Sequence, residues 1–206
     1  RSGRQRPGPR MKRITLWRHG EIDAAGLLVG RRSDLPLTGA GRDTMRRGWP
    51  ALTAMAPVTA IASSPLQRCL TSAESFATDS GLTLHVDAGF AETDFGAWDG
   101  APMDGLPADW QAEYSNGRLL PDGGETLGAF RSRVTSAFNS WVDSLGDGHA
   151  VLITHGGVIA TVLAARLELS LTSARRLFVS RGGYVQLSLA DGCPDYLIAL
   201  ANPAMD

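Results

Sequence analysis

Two of the four histidines in this chain follow an apolar run and precede a glycine. His19 stands in "LWRHGE", directly after Arg18, and His155 stands in "AVLITHGG". Apolar runs of this length predict buried strands, so each imidazole lies where a strand ends. A histidine beside a strand is usually a structural group, which is what we expect of His85 and His149. Because His19 and His155 occupy matching positions after two different strands, we expect them to share a functional site.

An arginine follows a third apolar run in the same way. The run "VTAIAS" leads into "SSPLQR", which brings Arg68 onto the first turn of a predicted helix. The carboxyl ends of parallel strands meet at one rim of a sheet, where ligands bind. Two guanidiniums and two imidazoles at this rim suit a phosphoryl group, because guanidinium forks match phosphate oxygens. One histidine would attack phosphorus while the other donates to a phosphoryl oxygen.

Other kinds of phosphate site fit less well. Two histidines with carboxylates could hold a metal, but two neighbouring arginines would repel a divalent ion. A cysteine phosphatase needs an arginine six residues after its thiolate, whereas Ser75 and Ala199 stand at that offset from Cys69 and Cys193. An Asp-x-Asp motif is absent, and the only lysine, Lys12, cannot belong to a phosphate loop of the G-x-x-x-x-G-K type.

Apolar periodicity divides the chain into alternating strands and helices. The predicted strands are 12–17, 58–63, 82–86, 150–154, 183–189 and 195–200, and the predicted helices are 38–55, 65–77, 125–145 and 158–167. Residues 96–124, rich in Gly, Pro, Asp and Trp, predict an irregular excursion with a short helix near Trp110. The alternation predicts an α/β fold, a three-layer α/β/α sandwich with a largely parallel central sheet.

The length and the lack of a linker favour a single domain over residues 11–206. Residues 1–10 hold four of the 20 basic residues and no acidic one. Their composition predicts a disordered tail, either an artificial remnant or an upstream extension, with Met11 as the natural start. Four charges are few for a basic arm, so we expect no nucleic acid partner. The longest uncharged stretch, 150–165, is broken by His-Gly-Gly and does not predict a membrane span.

The two cysteines indicate no disulfide framework, so a reducing cytoplasm is the expected location. The sequence leaves the oligomeric state open, with a homodimer as one option.

Four motifs together resemble a known family. "LWRHGE", "SSPLQRCLTSA", "AETDFGAWDG" and "ITHGG" are similar, in order and spacing, to the histidine phosphatase superfamily, in the branch related to cofactor-dependent phosphoglycerate mutase. Two further segments, "GRRSDLPLTGAG" and "PDGGETLGAFRSRV", resemble the α-ribazole-5′-phosphate phosphatases of cobalamin biosynthesis and their broader relatives.

The resemblance implies a role for each candidate residue. His19 would be the nucleophile that becomes phosphohistidine, and Arg18, Arg68 and His155 would form the phosphate pocket. Glu92 would protonate the leaving oxygen and then activate the water that hydrolyses the intermediate. No cofactor and no metal are implied, because the arginines supply the positive charge.

The resemblance also assigns substrate-binding positions. Gly30 and Gly156 match places where the backbone approaches the phosphate, and Arg31 and Arg32 would lie at the pocket mouth. These two arginines could add contacts to an anion, or could equally be a solvated pair.

The chain departs from the family pattern at several positions. Ile22 and Ala25 replace the usual polar residues after "RHGE", so one polar contact to the phosphoryl group would be missing. Asp99 stands where Glu is commoner. The match selects Glu92 as the acid, and leaves Asp94 and Asp99 to loop structure.

The excursion at 101–123 is expected to cover the site. It carries one basic residue, Arg118, against four acids, together with several aromatic and apolar residues. This favours a small monophosphate with a largely uncharged, flat or apolar leaving group, such as α-ribazole 5′-phosphate, although the aromatics could simply pack the excursion onto the domain. The sequence therefore predicts a metal-independent phosphomonoesterase of the histidine acid phosphatase type. The alternatives are a phosphoglycerate mutase and a non-catalytic module that binds a phospho-ligand or a protein.

Overall fold

A computed structural model describes residues 11–203, so the predicted tail at 1–10 lies outside the described residues. The strands are β1 (Met11–Arg18), β2 (Val58–Ser63), β3 (Leu84–Val86), β4 (Gly148–Thr154), β5 (Tyr184–Ala190) and β6 (Tyr196–Ala201). The helices are α1 (Gly39–Met55), α2 (Gln67–Ser80), α3 (Trp110–Ser115), α4 (Leu127–Ser144), α5 (Gly156–Arg166) and α6 (Leu171–Arg175). None of the helices in this part of the chain is both long and apolar enough to cross a bilayer.

The six strands form one sheet in the order β3-β2-β4-β1-β5-β6. The first four strands of the chain pair in parallel, and β5 and β6 add to the edge in antiparallel pairing. One apolar cluster packs α4 and α5 against one face, and a second packs α1 and α2 against the other. This is the predicted three-layer α/β fold with a mostly parallel sheet.

Several element boundaries differ from the prediction. Helix α2 begins at Gln67 rather than at Pro65, because Leu66 keeps an extended backbone and takes the cap position. Strand β3 is limited to three residues, and the short helix α6 was not predicted. In the excursion, two 3₁₀ turns at 96–98 and 103–105 precede α3, which confirms the short helix near Trp110.

The centre of the sheet positions the histidines. Strands β1 and β4 are parallel neighbours, and their register pairs Arg18 with Thr154. The residue after each pair member is a histidine, so His19 and His155 leave the sheet side by side at the carboxyl rim. Strand β2 lies on the other side of β4 and pairs Ser63 with Ile153, which brings the start of α2 to the same rim.

Candidate active site

His19 and His155 form the floor of a site at the carboxyl rim of the sheet. Their ring centroids are 5.3 Å apart and the rings meet edge to face. Both are nearly inaccessible to solvent, His19 at 5% and His155 at 1% exposure. The two histidines that follow strands in the sequence are therefore neighbours in space.

One hydrogen bond defines which nitrogen of His19 is available. Nδ1 lies 2.7 Å from the carbonyl oxygen of Gly20. A carbonyl can only accept, so Nδ1 carries the proton and Nε2 holds the lone pair. A neutral imidazole with a free Nε2 lone pair is able to attack an electrophile.

The surroundings of His19 hold its imidazole neutral. Burial, followed by the nearby Arg68 charge, lowers the pKa of His19 to about 3. Burial and Arg68 likewise lower the pKa of His155 well below its usual value. Both rings are therefore neutral at neutral pH, and the positive charge near them comes from the guanidiniums.

Arg68 is held at the start of α2 by three acceptors. The side chain is 1% exposed, and its Nη2 and Nη1 donate to the carbonyl oxygens of Gly30 (2.8 Å) and Ser33 (3.0 Å). Its Nε donates to Nδ1 of His155 at 3.3 Å. This network accounts for Gly30, whose carbonyl orients the guanidinium; direct contact of Gly30 with a substrate stays a prediction.

His155 is engaged at both ring nitrogens. Because Nδ1 accepts from Arg68, Nε2 carries the proton, and it donates to the hydroxyl of Ser64 at 2.7 Å. His155 therefore positions Arg68 in this structure. The predicted donation from His155 to a phosphoryl oxygen would require the Ser64 contact to open, and it remains a prediction.

Arg18, the last residue of β1, is held by the segment that precedes β5. Its Nη1 donates to the carbonyl oxygen of Val179 at 2.8 Å, while its buried Nε has no partner within residues 11–203. A Cβ at Gly156 would lie 3.2 Å from the guanidinium carbon, so the glycine leaves room for Arg18. Burial lowers the pKa of Arg18, and Glu92 opposes that effect. An unpartnered donor in such a pocket suits an anionic ligand.

The Glu92 carboxylate is held at the amino end of α5. One carboxylate oxygen accepts from the backbone N–H of Thr93 (3.0 Å), and the other accepts from the first-turn N–H of Gly157 (3.1 Å). A Cβ at Gly157 would come within 2.3 Å of the carboxylate, so a larger residue there would displace the Glu92 side chain from this position. Arg133 of α4 fixes the carbonyls of Gly89, Ala91 and Glu92 and pairs with Glu125, which braces the Glu92 backbone.

The acids of the loop at 94–99 bind the arginines and the backbone of the loop at 30–33. Asp94 accepts from Arg32 at 2.7 Å and lies 3.4 Å from Arg31. Asp99 accepts from the backbone N–H groups of Gly30, Arg32 and Ser33. Asp94 and Asp99 thus have the structural part expected of them, and Arg31 and Arg32 are ion-paired rather than a purely solvated pair. Substrate binding by Arg31 stays a prediction.

The excursion forms a small cavity next to Thr93, the neighbour of Glu92. It has a volume of about 150 Å³ and is lined by Thr93, Phe95, Trp110, Gln111, Tyr114, Ser115 and Arg175. Phe95 packs edge to face on Trp110 with ring centroids 5.9 Å apart. Arg175, from α6, donates to the Ser115 hydroxyl at 3.1 Å. The aromatics pack the excursion onto the domain and also line a cavity; the leaving group that this excursion would accept stays a prediction.

Three residues near the site were not identified from the sequence: Ser64, Arg133 and Arg181. Ser64 follows β2 and stands in the "SSPLQR" motif, so its position was a usable signal. Arg133 lies in the middle of α4, within the segment "PDGGETLGAFRSRV" that resembles known phosphatases, so a signal was present there, whereas Arg181 lies in a turn before β5 with no local motif around it. Among the described residues, no group of three or more metal-ligating side chains comes together.

Acid is expected to destabilise the native protein more than a His19→Asn variant. Since burial holds the folded-state pKa of His19 at about 3, the unfolded chain, with a value near 6.5, binds the proton first as the pH falls. The stability contributed by neutral His19 is complete above about pH 6.5 and is lost progressively towards pH 3. When the unfolding free energy is measured with urea at pH 7 and at pH 5, it should fall less between the two for His19→Asn than for the native protein.

The control for this measurement is His85→Asn, because the His85 side chain is about half exposed. This variant should match the native protein in the size of the fall. An equal fall in His19→Asn and the native protein would show that His19 is not held neutral by burial.

This combination of fold and site defines a class of protein. The family model described as "Histidine phosphatase superfamily (branch 1)" matches residues 14–199. The chain belongs to the histidine phosphatase superfamily, which confirms the resemblance drawn from its motifs.

The chain is similar to several members with different described activities. It is 28% identical over 204 residues to the glucosyl-3-phosphoglycerate phosphatase of Mycolicibacterium vanbaalenii, covering 90% of this chain and 89% of that protein. It is 30% identical over 175 residues to the "probable phosphoglycerate mutase GpmB" of Citrobacter koseri, covering 81% and 80%. The α-ribazole phosphatase structure from Shigella flexneri shares the fold, with a TM-score of 0.79 at 22% identity over 94% of this chain and 100% of that one.

Proposed function

We propose that this protein is a metal-independent phosphomonoesterase that acts through a phosphohistidine on His19. The observation that carries the proposal is the buried, neutral His19 imidazole, whose Nε2 has no hydrogen-bond partner within residues 11–203 and which lies near the charges of Arg18 and Arg68. A nucleophile that stays uncharged beside two cations is suited to attack a group whose negative charge those cations hold.

The first half-reaction transfers the phosphoryl group to the enzyme. Nε2 of His19 forms a bond to phosphorus as the bond to the ester oxygen breaks. Glu92, in its acid form, gives its proton to that oxygen, so the leaving group departs as a neutral alcohol. Arg18 and Arg68 hold the non-bridging oxygens, where their charge stabilises the transition state without a metal.

The second half-reaction returns the enzyme to its starting state. Glu92, now a carboxylate, takes a proton from a water molecule whose oxygen bonds to phosphorus, and the bond between phosphorus and Nε2 breaks. Inorganic phosphate and free His19 result, and Glu92 is again protonated. The two N–H donors from Thr93 and Gly157 keep the carboxyl group in one orientation for both steps.

The leaving group would extend towards the cavity beside Thr93, because Glu92 must lie next to the ester oxygen. The aromatic walls of the cavity favour an apolar or flat portion, as in α-ribazole 5′-phosphate, and Arg175 adds a cation that the sequence did not place there. The similarity to a glucosyl-3-phosphoglycerate phosphatase supports a small-molecule phosphate monoester as the substrate class.

A phosphoglycerate mutase is the second candidate, favoured by the similarity to GpmB. A mutase must hold a carboxylate and a second phosphate besides the transferred group. Three arginines of the mouth and the excursion are already paired with acids: Arg31 and Arg32 with Asp94, and Arg118 with Glu113. Among the described residues, Arg175 and Arg181 are the further cations near the site without a carboxylate partner. These are few for a carboxylate and a second phosphate, and we therefore favour the phosphatase. We also place the protein in the cytoplasm, since both of its cysteines are free.

The proposal is tested with p-nitrophenyl phosphate and an alkyl phosphate in the presence of EDTA. The native protein should release phosphate from both and should retain that activity after prolonged chelation. A protein that binds phosphate but turns over neither substrate would be a non-catalytic module. Loss of activity to EDTA, with recovery on adding a divalent ion, would contradict metal independence.

The variant Glu92→Gln is expected to discriminate between leaving groups. Glutamine keeps the shape but cannot supply a proton, so an alkyl phosphate should lose on the order of 100-fold or more in kcat/KM. p-Nitrophenolate is stable without that proton, and its release should be affected less. Because Glu92 also activates water, p-nitrophenyl phosphate should show a burst followed by slow turnover as phosphohistidine accumulates.

The matched control for this experiment is Glu74→Gln, an exposed glutamate on α2, which should behave as the native protein. Equal losses on the two substrates without a burst would remove the acid–base role from Glu92.

A further inference from the structure

The turn between α6 and β5 lies against the end of β1 that carries the nucleophile. The backbone N–H of Gly182 donates to the carbonyl oxygens of His19 (2.9 Å) and Arg18 (3.2 Å), and the N–H of Arg18 donates to Gly183 (2.9 Å). Gly182 has a φ of 78°, a conformation that favours glycine. These bonds fix the neighbouring residue, Arg181, at the rim of the candidate site.

The Arg181 guanidinium is half-buried and, among residues 11–203, lacks an acidic partner. Its Nη1 donates to the carbonyl oxygen of Ile22 at 3.2 Å, and this is its only hydrogen bond within residues 11–203. No carboxylate in that part of the chain lies within ion-pair distance of it. Burial lowers the pKa of Arg181, and the Glu21 charge opposes this. A partly desolvated cation of this kind gains from a bound anion.

The loop beneath Arg181 offers such an anion no hydrogen-bond-donating side chain at positions 22–29, where the one charged residue is the acid Asp23. Ile22 is 3% exposed and belongs to the apolar core, and Ala24 and Ala25 carry only methyl groups. Arg181 is anchored on the backbone of this same loop. It is therefore a donor side chain held on a loop that brings no donor side chain of its own.

We propose that Arg181 is a further phosphoryl-binding residue, which donates to a non-bridging oxygen while its Nη1 stays on the Ile22 carbonyl. This inference rests on the proposed function. The charge of the site is consistent with it: the charges of Arg18 and Arg68 act on both neutral histidines, and the Arg181 charge acts on Arg18 and His19. A phosphate monoester dianion would neutralise the excess of positive charge.

The test is competitive inhibition by inorganic phosphate, with p-nitrophenyl phosphate as substrate and EDTA present. Arg181→Gln should raise the inhibition constant of phosphate and the KM of the substrate by roughly tenfold each, the loss of one charge-assisted contact. Arg181→Lys keeps the charge and should fall between Arg181→Gln and the native protein. The matched control is Arg176→Gln, an exposed arginine on the preceding segment, which should stay within about twofold of the native protein.

Binding is measured separately from turnover by the rise in melting temperature that phosphate produces. This rise should be smaller in Arg181→Gln than in the native protein even if the variant is less stable without phosphate. An unchanged inhibition constant with an unchanged rise would overturn the inference while leaving an active phosphatase. Native protein that binds phosphate but has no turnover would instead contradict the proposed function, and the melting shift would still decide the role of Arg181.

Discussion

Replacing His19 with alanine is expected to abolish turnover, with a loss of more than about 10⁴-fold in kcat. The variant removes the nucleophilic nitrogen, and the other imidazole in the pocket cannot replace it. Both nitrogens of His155 are engaged, by Arg68 and by Ser64. Rapid quenching in alkali after mixing with p-nitrophenyl phosphate should trap acid-labile phosphate on the native protein and none on His19→Ala.

The control for this experiment is His85→Ala, which changes an exposed histidine on the edge strand β3 and should leave the trapped phosphate unchanged. Acid-labile phosphate on His19→Ala in the amount seen for the native protein would show that another residue is the nucleophile. The phosphohistidine mechanism on His19 would then be wrong, although the chain would remain a histidine phosphatase by family.

Arg68→Ala should lower kcat/KM by roughly 10²- to 10³-fold. A charge-assisted fork in a water-poor pocket contributes about 3–4 kcal/mol to transition-state stabilisation. The substitution also leaves the carbonyls of Gly30 and Ser33 and the Nδ1 of His155 without their donor. We therefore expect lower thermal stability as well as lower activity.

Arg68→Lys separates these two effects. Lysine keeps the charge but cannot reach three acceptors in a fork, so it should recover part of the activity and little of the stability. Arg131→Ala, at an exposed position on α4, is the matched control and should be neutral in both measurements. If kcat/KM for Arg68→Ala stays within about twofold of the native value, Arg68 does not contact the phosphoryl group.

Much of the fold follows from local patterns in the sequence. Apolar residues marked all six strands: they are buried as a continuous run in the central strand β4, whereas burial alternates along the half-exposed edge strand β6. Thr38 marked the start of α1 because its hydroxyl accepts from the N–H of Gly41. The start of α2 was placed two residues early, because proline is compatible with a first helical turn but does not require one. Helix α6 has five residues, too few for a periodic signal.

The central part of the candidate site was also predictable. Parallel strands bring their carboxyl ends to one rim, so the positions of His19, His155 and Arg68 in the sequence were enough to expect them together. The roles assigned to them and to Glu92 came from the family resemblance. How each is held, as in the donation from Gly157 to Glu92, depends on contacts between residues far apart in the chain.

The sequence by itself determined the family, the alternation of strands and helices, and the meeting of two histidines and two arginines at one rim, because these depend on local periodicity and short motifs. Only the tertiary structure decided how the other charges are used. It joined Arg32 to Asp94 across 62 positions, and it placed Arg181 on the Ile22 carbonyl across 159. Charge pairing depends on distances of a few ångströms between side chains, and no local pattern encodes those distances when the partners come from different elements.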